Sequence, residues 1–119
     1  MTRRFPRWVY ETGSEPDPRF TLANERTFLA WIRTALALVA AGVALEALAL
    51  PMQPDLRRAA ATLLLLLGLA VPILAWVSWG TVERALRQSE PLPGSKVALP
   101  VAVGISAVAA ALTLGVVLR

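Results

Sequence analysis

Three arginines, Arg19, Arg26 and Arg33, stand seven residues apart near the start of the chain. A guanidinium stays charged and forks onto carboxylate or phosphate oxygens, so a row of them is suited to holding an anion. Alanines continue the row at four- and three-residue steps: Arg19, Ala23, Arg26, Ala30, Arg33, Ala37, Ala40, Ala44, Ala47. On an α-helix that stagger keeps every member on one face. Cations leading into a small-residue track, with Ala37, Ala40 and Ala44 at its centre, fit either an anion path or a close helix–helix contact. Arg33 lies about 10 Å along the axis from Arg26 and inside a run of apolar residues. An intramembrane arginine marks a functional site. Equally, it marks an anchor whose side chain snorkels to the phosphates.

The remaining titratable groups exclude more than they suggest. With no cysteine and no histidine, the chain has no thiol nucleophile, disulfide, usual zinc site or imidazole acid/base. Its eight carboxylates are scattered and none recurs at a converging spacing, so no enzyme, metal or cofactor is expected. Glu25 and Arg26 are adjacent and point to different sides of a helix; Glu25 is placed to reach an arginine of another helix or subunit. Glu46 lies opposite the Arg/Ala face, within reach of water or of Arg57 and Arg58. A net charge of +4 and a pI near 11.1 fit anionic headgroups or a polyanion. The basic residues cluster at helix ends and form no basic domain, which argues against nucleic acid.

The elements that must carry these residues are membrane helices. The chain is 56% hydrophobic with a mean hydropathy of +0.59, and its apolar residues come in blocks. Residues 27–50 carry only Arg33 and Glu46 as charges, while 59–80 and 97–118 carry none. Each block reaches the ~20 residues a helix needs to cross ~30 Å of hydrocarbon. The fold expected is all-α, with three transmembrane helices in a unit covering 17–119. The small-residue triplet Ala47-Leu48-Ala49 resembles a signal-peptide cleavage site, but the first run is too long for such a peptide and two further spans follow. Residues 1–16 read as a mobile tail, and Asp17-Pro18 as a helix start. Pro72 removes a backbone hydrogen bond within span two near Gly68. Beyond it, Glu83 and Arg87 are spaced as an i,i+4 pair. Residues 90–94, Glu-Pro-Leu-Pro-Gly, break the helix. Ala107, Ala111 and Gly115 form a small-xxx-small seam for helix packing.

Positive charge sets the orientation. Arg3, Arg4, Arg7, Arg19 and Arg26 precede span one, and Arg84, Arg87 and Lys96 lie between spans two and three. Only Arg57 and Arg58 occupy the other loop, and Arg119 the end. The positive-inside rule puts the N-terminus in the cytoplasm and the C-terminus outside. Phe28, Trp31, Trp76 and Trp79 gather at the same cytoplasmic level, where aromatic rings favour the headgroup zone.

The run Asn24-Glu25-Arg26-Thr27-Phe28-Leu29-Ala30-Trp31 closely resembles the signature of the YidH-like family of small bacterial membrane proteins, a domain of unknown function. Trp79, Glu83, Arg87 and Pro91-Leu92-Pro93 resemble its second segment, and the three-helix layout covers nearly the whole chain. The resemblance implies a bacterial inner membrane protein and brings no activity with it. The family is in turn similar to the membrane domain of the eukaryotic vacuolar transporter chaperone. There, a ring of about five three-helix domains surrounds a polyphosphate channel with basic residues at its cytoplasmic mouth. Carried across by motif position, that likeness implies a mouth of Arg19 and Arg26, with Lys96 near a basic residue at the start of the third helix. Asn24, Glu25, Thr27 and Trp31 would support it. Gly80 departs from the pattern, standing where the chaperone has another pore arginine, and the chain has no polyphosphate-synthesising domain. The resulting expectation is a homo-oligomeric anion or polyanion channel bound to anionic lipids. The competing one is a non-conducting scaffold that binds lipid phosphates and a larger partner.

Overall fold

A computed structural model of the protein describes residues 4–119; Arg3, counted above among the tail arginines, lies outside them. Four helices follow one another: α1 (Arg7–Tyr10), α2 (Pro18–Leu48), α3 (Pro54–Arg87) and α4 (Ala98–Val117). No strand occurs among the described residues. α2, α3 and α4 are each long and apolar enough to cross a membrane.

Local chemistry sets their ends. Asp17 caps α2, accepting a hydrogen bond from the Arg19 amide at 2.9 Å, and Pro18 takes the first helical position, where a missing N–H costs nothing. α3 begins in the same way: Gln53 Oε1 accepts from the Leu56 amide at 2.7 Å, followed by Pro54. Ser95 Oγ accepts from the amides of Val97 and Ala98, both at 3.2 Å, as α4 starts. α3 continues through Pro72 without a break.

α3 is the central helix. α2 and α4 pack on it from different sides, and their backbones do not approach within 8 Å of each other. The core is built from Ala35 and Leu38 of α2, the stripe Ala60, Leu64, Leu67, Val71 and Ala75 of α3, and Val101 and Val108 of α4. Backbones approach closely where side chains are absent. A Cβ on Gly68 would stand 2.5 Å from Val39 Cγ2, and one on Gly104 would stand 2.4 Å from Leu67 Cδ1. Because the three helices form a row, the outer faces of α2 and α4 stay exposed and apolar: Leu36 and Val43 on one, Leu99, Val103 and Leu114 on the other.

The lengths differ in an informative way. α4 has 20 residues, about 30 Å at 1.5 Å per residue, the thickness of the hydrocarbon layer. The molecule is 61 Å long. Ser95, just before α4, borders the same small cavity as Asn24 to Trp31 of α2 and Ala75 to Val82 of α3, so α4 begins beside those segments. The first turns of α2 and the last turns of α3 extend beyond it as a short stalk.

The tail packs against this stalk. α1 lies on α3, with the Trp8 ring over Gly80, where an added Cβ would come within 2.1 Å of the indole. Gly13, at φ +60°, presses its α-carbon against the carbonyl of Arg87, and the Ser14 amide donates to that carbonyl at 2.9 Å. These contacts set Trp8, Gly13 and Ser14 against the end of α3.

Candidate functional site

The arginine–alanine face is intact and turned outward. All nine positions, from Arg19 to Ala47, are exposed, while Asn24, Ala35, Leu38 and Gly42 on the other side of α2 are buried. The three arginines are not equivalent. Arg19 is held by Asp17, with Nη2 donating to Oδ2 at 2.8 Å and Nε to both carboxylate oxygens at 3.2 Å. The Asp17 carboxyl is held below its usual value chiefly by that side-chain contact and next by the Arg19 amide. Arg26 and Arg33 form no ion pair among the described residues. Arg33 lies two residues past Trp31, about 3 Å further along the axis. Lys96 is exposed in the α3–α4 loop.

The other motif residues split between two faces. Asn24 and Trp31 turn toward α3, whereas Glu25 and Thr27 are exposed, and Thr27 Oγ1 donates to the Ala23 carbonyl at 3.2 Å. Asn24 is the hinge of a polar network. Its Nδ2 donates to the Trp79 carbonyl at 3.0 Å and to Glu83 Oε1 at 3.1 Å. Thr21 Oγ1 donates to Glu83 Oε2 at 2.8 Å. Glu83 is only 1% exposed, and every oxygen it presents has a donor, as a buried carboxylate requires.

Glu83 and Arg87 are therefore not the pair their spacing suggests, and no ion pair links them. Arg87, also buried, donates instead to the carbonyls of Thr12 at 2.8 Å and Tyr10 at 3.0 Å and to Glu15 Oε1 at 3.2 Å. Tertiary partners give both Glu83 oxygens a donor and each Arg87 nitrogen an acceptor. Glu46 likewise has no ion pair with Arg57 or Arg58; Arg57 Nη1 donates to the Leu50 carbonyl at 2.9 Å. In the α4 seam, Ala107 is exposed and Ala111 half-buried, whereas Gly115 is filled from within by Met52. Gly80 faces Trp8 and not the exposed face of α2.

Sequence reasoning missed the network although a signal existed. The buried stripe of α3 runs Ala60, Leu64, Leu67, Val71, Ala75, and two further steps of four reach Glu83, with Arg87 one step beyond. Charges that continue a buried stripe need partners from other elements.

Sequence comparison places the chain in a family. The model of a domain of unknown function, DUF202, matches residues 19–85, a segment that runs from Arg19 through Asn24 to Glu83. The chain belongs to the DUF202 family. Inner membrane protein YidH of Escherichia coli K12 is 44% identical over 92% of this chain and 96% of its own length. An uncharacterized protein of Mycobacterium tuberculosis, MT2333, is 44% identical over 82% of this chain and 80% of its own. No solved structure matches this DUF202 chain. It is an integral membrane protein of the YidH type, and the DUF202 segment contains both the outward arginines and the inward Asn24–Glu83 contact.

Proposed function

We propose that this protein is a subunit of a homo-oligomeric inner membrane assembly, a ring of about five, in which the Arg/Ala faces of α2 line an anion or polyanion path. The observation that carries this reading is the exposure of all nine stripe positions while the opposite side of α2 forms the core. A lone three-helix row cannot enclose water. A ring of them can, and the face left over by folding is cationic at one end and smooth below. Arg26 and Arg33 lack internal counter-ions, so their charge is available to an incoming anion; Arg19 shares its charge with Asp17. In this reading the stalk is cytoplasmic, as the positive-inside rule requires, and the alanines form a narrow apolar neck.

The test is anion flux into vesicles containing the purified protein. Arg26→Gln is expected to lower flux by at least about ten-fold, since removing one charge from every subunit empties the mouth of its positive field. Subunit number should be unchanged, because the exposed Arg26 forms no ion pair or side-chain hydrogen bond among the described residues. A variant that conducts like the wild type sinks the mouth. One observation favours a second reading: Arg26 and Arg33 flank Trp31 in sequence, and an aromatic ring at a helix entry favours the headgroup zone. In that reading the same arginines anchor a non-conducting scaffold, and co-purification of one stoichiometric partner would support it.

A further inference from the structure

A cavity of about 240 Å³ opens on the stalk, away from the Arg/Ala face, bordered by Tyr10, Thr21, Glu25, Phe28, Trp76 and Trp79. Four of the six are aromatic. Trp76 and Trp79 are stacked with centroids 5.1 Å apart, and Phe28 meets Trp76 edge-on at 6.2 Å. The α2 wall is one helical face, because Thr21, Glu25 and Phe28 follow at four- and three-residue steps. The tail supplies the last wall through Tyr10, whose ring already lies 4.4 Å from the guanidinium of Arg4 and 5.5 Å from that of Arg87.

Arg4 and Arg87 both pair with Glu15. Glu25 and Glu83 have no ion pair among the described residues. Glu83 is buried behind the wall and fully bonded to Thr21 and Asn24, whereas Glu25 is exposed at the cavity itself. Glu25 is the one charged side chain among the six that line the cavity, so the wall itself is anionic in a protein whose overall charge is +4. An unpaired carboxylate at an aromatic wall is the combination that recognises an organic cation. The carboxylate supplies the charge, and the rings supply their negative faces and shed little water when the cation's methyl or methylene groups arrive. Inorganic cations gain less, because aromatic walls cannot replace their hydration shell with oxygen ligands.

We infer that this cavity binds an organic ammonium group, primary or quaternary, with Glu25 as its counter-ion and Phe28, Trp76 and Trp79 as its aromatic wall. Two sources supply that chemistry to a cavity on the stalk of a membrane protein: the ethanolamine headgroup of a lipid, and a soluble quaternary ammonium compound. It is separate from the proposed anion path, and either can fail without the other.

The full-length protein in phosphatidylglycerol nanodiscs, titrated with choline and followed by tryptophan fluorescence, reads the soluble source. Native mass spectrometry after reconstitution with mixed phosphatidylethanolamine and phosphatidylglycerol reads the lipid source. A saturable choline response, a selective retention of phosphatidylethanolamine, or both, are expected for wild type. Glu25→Gln, at an exposed residue with no internal contact to lose, should weaken whichever is seen by about ten-fold or more, and Phe28→Leu should weaken it as well. Arg26→Gln should leave it unchanged. Choline response without lipid retention assigns the site to a soluble ligand, and the reverse assigns it to the headgroup. Absence of both, or a response that survives Glu25→Gln, overturns the inference.

Discussion

Asn24 was legible as a motif residue but its work was not. Sequence spacing places it on α2 and says nothing of Glu83, 59 residues away, with which it shares a hydrogen bond. The same limit misassigned Glu83 to Arg87: an i,i+4 rule describes an isolated helix surface, and these two side chains face other elements. Arg26 and Arg33, by contrast, are as exposed as the face arithmetic implies, because nothing in the fold competes for them. A consequence at this scale is testable. Glu83→Ala strands the Asn24 amide and the Thr21 hydroxyl and should destabilise the protein by about 1–3 kcal/mol. Asn24→Asp should cost more than Asn24→Ala, since it sets a second carboxylate against Glu83 and the Trp79 carbonyl. Thermal unfolding in one detergent gives the order. If Asn24→Asp is the milder of the two, the network does not hold α2 and α3 together as described.

The three long helices follow from composition, since the apolar blocks are separated by Pro- and Gly-containing breaks and backbone groups in lipid must pair within a helix. The caps at Asp17, Gln53 and Ser95 fix where they start. How far α2 and α3 continue past their apolar blocks was legible as well: Asp17-Pro18 marks the start of α2, and the i,i+4 spacing of Glu83 and Arg87 suits a helix that runs on to Arg87. What composition concealed is the docked tail, whose contacts are Trp8 over Gly80, tail carbonyls that accept from Arg87, and Gly13 against the Arg87 carbonyl rather than an apolar stripe. Gly13 carries that docking, because a Cβ there would stand 2.0 Å from the Arg87 carbonyl oxygen on a backbone at φ +60° that side chains disfavour. Gly13→Ala should free the tail without unfolding the helices. Limited proteolysis within residues 7–16 is expected to accelerate by about ten-fold, as for a segment whose local opening has become easy, with unchanged helical circular dichroism. Cleavage at the wild-type rate would mean the tail is held by other contacts.

Taken whole, the molecule is a row of three helices, 61 Å long against cross-dimensions of 26 and 20 Å. It has one internal helix and two outer faces that folding leaves unused. One of those faces bears the arginines and the alanine track; the other, on α4, is apolar enough for lipid. That asymmetry is the basis for reading the chain as one stave of a ring, with α2 inward and α4 outward. It was partly foreseeable, since the stripe is written in the sequence. That α3 rather than α2 is the central helix depends on close approaches at Gly68 and Gly104, which no periodicity reveals. The claim that stands or falls first is assembly. Native mass spectrometry of the protein extracted with its lipids counts subunits directly. A closed ring of about five is the predicted result, and a monomer or dimer, which cannot surround a path with three-helix units, would contradict it.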